Sequence, residues 1–169
     1  MRLPNRKPGK YTFPQFDPHI TAAKLQELQQ ALVSAQKKLP HAIREVQQYA
    51  ENGDFSENAE YQVAKGRLRG LNKNVAELQY QINHAIIIAS PIGTHTVQVG
   101  HHVTVEFKGE TKTFTILGSV EANPAAGIIS YHSPVGAALL GHKVGDIVMI
   151  TTGNGDIAYT IIDIFCQVW

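Results

Sequence analysis

The chain has 169 residues, of which 43% are hydrophobic and 17% are charged. This length allows one modest core or two small ones, and no stretch approaches the roughly 18 consecutive apolar residues that a membrane helix needs. The formal net charge of +1 gives no overall attraction to nucleic acid, so any electrostatic function must depend on where the charges lie. Proline and polar residues follow the basic start in place of the apolar run of a secretory signal, so we expect a cytoplasmic protein with no membrane partner.

Prolines are concentrated in residues 1–19, where they occupy positions Pro4, Pro8, Pro14 and Pro18. Proline lacks a backbone donor and restricts the backbone, and the surrounding residues are basic or aromatic without periodicity. We therefore predict that residues 1–19 form an extended arm outside the folded domains.

The pattern changes to that of an amphipathic helix from Ile20 onward. The apolar residues follow a spacing of three and four, at Leu25, Leu28, Leu32, Ala35 and Leu39. Pro40 should kink this helix, after which the stripe is expected to resume at Ile43, Val46, Tyr49 and Ala50. The spacing predicts one helix that ends at about Asn52.

A second helix follows a short turn. Gly53 is a natural terminator, and Asp54 with Glu57 matches a capping box that starts a helix. An unbroken heptad then occupies Tyr61, Ala64, Leu68, Leu71, Val75, Leu78, Ile82 and Ala85. Two helices of similar length joined by a short turn predict an antiparallel hairpin over residues 20–89, whose stripes pair with each other and leave the chain a monomer.

Beyond Pro91 the composition shifts to β-branched residues, glycines and short alternating runs, which predicts a separate β domain over residues 90–169 and an α+β fold. The predicted strands cover 97–107, 111–117, 146–152 and 156–165. Ser133 and Pro134 are suited to the start of a short helix over 133–140. Cys166, the lone cysteine, is expected as a small buried side chain in the last strand.

Two motifs resemble those of the Gre transcription elongation factors. Residues 53–61, between the two helices, have the sequence GDFSENAEY, which is similar to the signature tip of that family. In the second domain, Ile129-Ser130, the run SPVGAALLG at 133–141 and the run VGD at 144–146 resemble its FKBP-like domain. The resemblance spans roughly residues 20–165 and implies a coiled-coil hairpin followed by an FKBP-like antiparallel β domain with a short helix.

The resemblance implies a function on bacterial RNA polymerase. In the family, the hairpin enters the secondary channel of a backtracked polymerase, and acidic tip residues reach the active centre, where the polymerase itself cuts the nascent RNA 3′ end. The chain would then be a factor that stimulates the cleavage and not an enzyme. An FKBP-like fold alone implies no prolyl isomerase activity.

By match to the tip motif, the acidic pair is Asp54 and Glu57, which would help to hold the second Mg²⁺ and orient the attacking water. Carboxylate oxygens suit Mg²⁺, but two of them bind it weakly, so the site would be complete only beside the polymerase. Asn58 and Glu60 are secondary candidates at the same place. The alternative is that Asp54 and Glu57 only cap the second helix, which contributes about 1 kcal/mol.

Three further groups of residues are candidates for contact with a partner. Phe55 at the extreme tip has little to pack against in a short turn and is assigned to contact with the channel. The family's RNA-contacting basic residues correspond to Lys65, Arg67, Arg69 and Lys73, although an ordinary solvated helix face explains them equally well. The loop that docks on the polymerase corresponds to His132, Ser133 and Pro134. It carries His132 where the family often has Asp or Asn, and Ala137 follows where Arg is common.

Two other functions remain open. One is a regulator that occupies the channel and inhibits or competes without stimulating cleavage, although the presence of Asp54 and Glu57 disfavours it. The other is a scaffold that dimerises through its heptads, which should keep its function when Asp54 and Glu57 become alanine and should self-associate.

Overall fold

The computed structural model describes residues 16–51, 59–89, 91, 93–152 and 155–166. The four tip candidates Asp54, Phe55, Glu57 and Asn58 therefore lie outside the described residues, and so does the capping box. Within the described part of the chain, none of the helices combines the length and the apolar character needed to cross a bilayer.

Two long helices form the N-terminal hairpin. Helix α1 covers Ala22–Glu51, and helix α2 covers Ala59–His84. The heptad predicted for α2 is confirmed, because all eight of its members are at least partly buried and Ala64 is only 3% exposed. These side chains face α1, with which α2 makes its main contacts.

The stripe on α1 differs in one respect from the prediction. Helix α1 continues through Pro40, and the next buried position is Ala42, whereas Ile43 is 42% exposed. Leu28, Ala35 and Ala42 are the buried residues of α1, and they are spaced by seven. The heptad register is therefore retained across Pro40. Ala42 lies in the buried contact between the two helices, which we name the seam, and Ile43 lies outside it.

A small parallel sheet closes the base of the hairpin. Strand β1, His19–Ile20, precedes α1, and strand β2, Ile86–Ile87, follows α2. The two pair in parallel, since Ile86 N–H donates to the Pro18 carbonyl at 2.7 Å and Ile88 N–H donates to the Ile20 carbonyl at 2.9 Å. The segment before α1 and the segment after α2 are thereby hydrogen bonded to each other at the base of the hairpin.

The second domain is a five-stranded sheet with the strand order β5-β4-β3-β7-β6. Its strands are β3 His101–Phe107, β4 Glu110–Leu117, β5 Ile128–Ser130, β6 Ile147–Thr152 and β7 Gly155–Cys166. Neighbouring strands are antiparallel except β4 and β5, which are parallel, so the predicted antiparallel domain is a mixed sheet. The α+β class and the order of hairpin and β domain are confirmed.

One face of the sheet carries the core. The strand side chains Val103, Val105, Ile116 and Ile161 are at most 1% exposed, and helix α3, Pro134–Leu139, adds Leu139, which is fully buried. The prediction for Cys166 is half wrong. Cys166 does end the last strand, but it is exposed, and its sulfur lies 3.3 Å from the Pro91 carbonyl oxygen.

Candidate functional site

The residues that flank the tip are described even though the tip is not. Helix α1 ends at Glu51 and α2 begins at Ala59, so segment 52–58 connects the ends of the two helices that lie away from the base. Glu60 is exposed in the first turn of α2. A carboxylate there is stabilised by the partial positive charge of the helix N-terminus. Glu60 can therefore stabilise α2 whether or not it also acts at the tip.

The four predicted RNA contacts do not form one stripe. Lys65, Arg69 and Lys73 are exposed and spaced by four residues, which places them along one side of α2. Arg67 lies on the other side, toward α1, where one guanidinium nitrogen is 3.2 and 3.0 Å from the two carboxylate oxygens of Glu45. Arg67 therefore forms an ion pair between the two helices, on a different side of α2 from the other three basic residues.

Two of the three other basic residues, Lys65 and Lys73, also have local contacts. The Lys65 ammonium lies 5.4 Å from the centroid of the Tyr61 ring, and the Lys73 ammonium lies 3.6 Å from a carboxylate oxygen of Glu77. An exposed pair such as Lys73 with Glu77 contributes little and exchanges readily for a phosphate. Within the described part of the hairpin, Lys65 and Arg69 have no acidic partner, so they carry the unpaired positive charge of this face.

The predicted docking residues lie in a turn over residues 130–134, which we name the Ser-Pro turn. The Ser130 carbonyl accepts from the Ser133 N–H at 2.9 Å and from the Ser133 hydroxyl at 2.6 Å. The Ser133 oxygen also accepts from the Gly136 N–H at 3.1 Å and caps α3, which confirms the predicted cap. The position of Gly136 admits no side chain, since a Cβ there would lie 2.2 Å from the Ser130 oxygen.

These hydrogen bonds close the Ser-Pro turn and leave the side chains of His132 and Pro134 exposed. Pro134 is exposed at the first position of α3. His132 is exposed as well, and its ring lies 4.0 Å from the ring of Tyr131, centroid to centroid. The structure therefore brings His132, Ser133 and Pro134 together in one surface feature, far in the chain from the basic residues of α2.

Tyr131 connects the Ser-Pro turn to the segment before α1. Its hydroxyl donates to one carboxylate oxygen of Asp17 at 3.0 Å, and the other oxygen accepts from the Ser119 N–H at 2.7 Å. Asp17 also accepts from the His19 N–H at 3.1 Å. A groove of about 610 Å³ between Phe16, Pro18 and His132 borders this contact.

The buried carboxylate of Asp17 has a shifted pKa, and so has its partner. Burial alone would raise the pKa of Asp17, but hydrogen bonds from the N–H groups of Ser119 and His19 and from Tyr131 outweigh it, so the pKa lies below its ordinary value. Burial, together with the carboxylate of Asp17, raises the pKa of Tyr131 to about 12. The phenol thus stays protonated and the carboxylate ionised over the physiological range.

A second contact between the same two parts of the chain lies at the start of α1. The Thr21 N–H and the Thr21 hydroxyl each donate to one oxygen of the Glu121 carboxylate, both at 2.7 Å. The Thr21 oxygen in turn accepts from the Lys24 N–H at 3.1 Å and caps α1. Glu121 therefore places a carboxylate from the β domain at the N-terminus of the hairpin's first helix, where the helix dipole favours it.

We name these two contacts together the joint, which consists of Asp17, His19, Thr21, Ser119, Glu121 and Tyr131. The sequence interpretation missed it, and it assigned Asp17 and His19 to the extended arm. The partners are about a hundred residues apart in the chain, and no periodicity marks them. The one sequence feature that sets Asp17 apart is that it is the first acidic residue after a basic start, and this feature does not indicate a partner.

Among the described residues, no group of three His, Cys, Asp or Glu side chains comes together that could hold a metal ion. The adjacent histidines of β3 are structural. His101 is fully buried and accepts from the Gln98 N–H at 2.9 Å, while His102 Nδ1 lies 2.8 Å from the Thr115 hydroxyl. Both are therefore accounted for by bonds within the β domain.

Comparison with known proteins gives consistent results for both parts of the chain. The family model for the transcription elongation factor N-terminal domain (GreA_GreB_N) matches residues 19–87, and the model "Transcription elongation factor, GreA/GreB, C-term" matches residues 92–165. The transcription elongation factor GreA of Thermomicrobium roseum is 41% identical over 127 residues, which cover 74% of this chain and 81% of that protein. GreA of Roseiflexus sp. is 37% identical over 141 residues, which cover 82% and 88%.

Among solved structures, the GreA factor homolog Gfh1 of Thermus thermophilus matches with a TM-score of 0.40 and 26% identity, over 88% of this chain and 99% of that one. The family models together cover both the hairpin and the β domain, and the relatives extend across most of the chain. The chain belongs to the GreA/GreB family of transcription elongation factors.

Proposed function

We propose that this protein binds bacterial RNA polymerase, inserts its hairpin into the secondary channel and stimulates the polymerase's own cleavage of a backtracked RNA 3′ end. The observation that carries the proposal is the hairpin itself. It pairs α1 with α2 along a single buried seam, and the sequence DFSEN at 54–58, with its two carboxylates, belongs to the chain between Glu51 and Ala59, the helix ends that lie away from the β domain. At about 1.5 Å per residue, the 30 residues of α1 extend about 45 Å, which is long enough to reach into a deep channel.

The tip would act through Asp54 and Glu57. Their carboxylates supply the hard oxygen ligands that Mg²⁺ prefers, but two ligands are too few to retain the ion without the carboxylates of the polymerase. The donor set therefore fits a shared Mg²⁺ and not a resident one. When bound, the ion would stabilise the attacking and leaving oxygens of the phosphodiester, while Asn58 and Glu60 lie near enough in sequence to assist the acidic pair.

The Ser-Pro turn is the proposed docking surface. Ser133 holds the turn closed, and His132 and Pro134 are the exposed side chains that it presents. On the hairpin, Lys65, Arg69 and Lys73 are the proposed contacts to the extruded RNA, since they share one exposed side of α2. Arg67 does not belong to this group, because it lies on the other side of α2, where it pairs with Glu45.

The scaffold alternative has a physical argument against it. A helix that dimerises through its heptads must leave that stripe available, whereas the heptad of α2 packs on α1 of the same chain. The inhibitor alternative keeps the same partner and differs only in the chemistry at the tip. No described residue separates it from the cleavage factor, so the distinction depends on an experiment.

The experiment is RNA cleavage by a stalled, backtracked bacterial polymerase, with this protein and with its Asp54→Ala, Glu57→Ala double variant. We expect the protein to accelerate release of the 3′ fragment and the double variant to bind polymerase without accelerating it. A Glu27→Ala, Glu110→Ala variant, which removes two exposed carboxylates elsewhere, is the matched control and should behave like the wild type. Binding without acceleration by the wild type would favour the inhibitor.

A further inference from the structure

A factor that docks at one place and acts at another must keep the two at a fixed separation. The Ser-Pro turn lies beside the joint, and the helix ends Glu51 and Ala59, which flank the tip in the sequence, lie about one helix length away. A rotation of about 5° at the base of a helix about 45 Å long moves its far end by about 4 Å. Such a displacement exceeds the length of a metal–ligand bond, so the direction of the hairpin needs a dedicated restraint.

The segment that carries the restraint moves with the hairpin. Residues 18–20 are hydrogen bonded to residues 86–88, which follow α2 in the chain, and Thr21 caps α1. At the two ends of this segment, Asp17 and Thr21 each contact the β domain through a different carboxylate bond. Asp17 and Thr21 are four residues apart, so the two contacts are separated by at most about 13 Å along this segment. Two separated contacts resist rotation, whereas either one alone would act as a pivot.

The two contacts are not equivalent. Glu121 follows β4, and its bond to Thr21 does not involve the Ser-Pro turn. Asp17 in contrast bonds directly to Tyr131, which is inside the turn and whose ring lies against His132. The Asp17 carboxyl is 4% exposed and so exchanges its donors with water much less than a surface group does. Asp17 thus joins the start of the hairpin to the surface that would dock.

We infer that Asp17 and Tyr131 are positioning residues, which fix the direction of the hairpin relative to the Ser-Pro turn and so aim the tip. The inference rests on the proposed function for its purpose but not for its geometry. Removal of the Asp17 carboxylate takes away the bonds from both Tyr131 and Ser119. It leaves the Thr21 contact with Glu121 and the Tyr131 hydroxyl, which lies 3.0 Å from His19 Nδ1. Removal of the Tyr131 hydroxyl takes away less, because the Ser119 N–H still donates to Asp17. Docking is retained, while the tip is misplaced.

Two measurements on the full chain test this inference. The first is the distance between spin labels on Gln36→Cys of α1 and Glu110→Cys of the β domain, in a Cys166→Ser background. Both labelled positions are exposed. We expect a broader or shifted distance distribution in Asp17→Ala, and a smaller change of the same kind in Tyr131→Phe, which keeps the bond from the Ser119 N–H to Asp17. Tyr159→Phe removes the same hydroxyl from another partly buried tyrosine of the sheet and should leave the distribution unchanged.

The second measurement separates positioning from docking in the cleavage assay. For Asp17→Ala we expect the rate at saturating protein to fall by about tenfold, since a misplacement of about 1 Å can cost about a hundredfold. The concentration for half-saturation should change much less, because the Ser-Pro turn keeps its own hydrogen bonds. A fall in binding with an unchanged maximal rate would overturn the inference.

The two measurements also keep this inference apart from the proposed function. Distance distributions that are identical in the reference, Asp17→Ala and Tyr131→Phe would overturn the positioning role whatever the polymerase assay gives. If instead the wild type fails to stimulate cleavage, the proposed function fails, and the distance measurement still decides whether the joint sets the direction of the hairpin. Tyr131→Phe retains the ring packing, so it remains informative if Asp17→Ala does not fold.

Discussion

Helices α1 and α2 contact each other through apolar side chains that recur every three or four residues and form the seam of the hairpin. In the joint, the start of the hairpin contacts the β domain through two carboxylates and the groups that donate hydrogen bonds to them. The seam is made of many similar contacts, none of which fixes a direction beyond the helix pair. The joint is made of few contacts, each of them directional and charge-assisted. The seam therefore determines that the hairpin forms, and the joint determines where it points.

The joint should respond most strongly to a steric change. Gly118 packs against the segment before α1, and a Cβ there would lie 1.9 Å from the His19 carbonyl oxygen. Because the obstacle is backbone, Gly118→Ala must push the two parts apart, and we expect the free energy of unfolding to fall by about 3 kcal/mol. Urea unfolding measures it.

The hairpin supplies the control for that variant. Gly66 lies inside α2 with nothing within 4 Å of an added Cβ. Gly66→Ala should therefore raise the free energy of unfolding by about 0.5–1 kcal/mol. Equal and small effects of the two substitutions would show that the close approach at Gly118 is not a feature of the folded protein.

The seam should respond to the loss of apolar volume. Leu28 is 7% exposed on α1, and Leu28→Ala should cost about 2 kcal/mol, near the lower end for a buried leucine because the hairpin is only two helices thick. Val33 is on the same helix but is 49% exposed, so Val33→Ala should change stability by less than about 0.5 kcal/mol. Thermal unfolding followed by helical circular dichroism would measure both, and similar losses for the two would contradict the assigned register.

The Glu121 contact should show a smaller effect. Glu121→Gln keeps the shape of the side chain but turns an amide N–H₂ toward one of the two donors of Thr21, which should cost about 1 kcal/mol. Glu110→Gln makes the same change at an exposed position and should be neutral. Hydrogen exchange of the first turn of α1 offers a local measurement, and unchanged protection there in Glu121→Gln would argue against the interdomain cap.

The smallest effect is a dependence on pH. The pKa of Asp17 lies below its ordinary value of 3.8 in the folded protein, so its contribution is complete above that value and is lost as the pH falls through the folded pKa. The difference in unfolding free energy between the wild type and Asp17→Asn should be constant from about pH 7 to pH 5 and should shrink below about pH 4. A difference that persists unchanged at about pH 3 would mean that Asp17 is not ionised in the joint.

Local patterns in the sequence predict the seam and the start of α3. The heptad from Tyr61 to Ala85 predicted the seam because a repeated apolar spacing is a local signal, and Ser133 with Pro134 predicted the start of α3 for the same reason. Ile43 failed because the spacing across Pro40 admits either Ala42 or Ile43, and only the partner helix decides between them.

The joint could not be predicted in this way. Asp17 bonds to residues about a hundred positions away, and a single acidic residue near a proline has no pattern that names its partner. The same holds for the parallel pairing of β4 with β5, which depends on the course of the chain between them. Within the candidate site, the roles of the tip and of the Ser-Pro turn stay predictions of the sequence motif. The separation of Arg67 from Lys65 and Arg69 follows from the helix period, and what the structure adds is the contact of Arg67 with Glu45.

The most direct test of the account is the Mg²⁺ dependence of RNA cleavage by a backtracked polymerase, alone, with this protein, and with the Asp54→Ala, Glu57→Ala variant. If the tip completes a shared metal site, the protein lowers the Mg²⁺ concentration needed for half-maximal cleavage, and the double variant gives the curve of the polymerase alone. A wild-type curve that coincides with that of the polymerase alone would contradict the account.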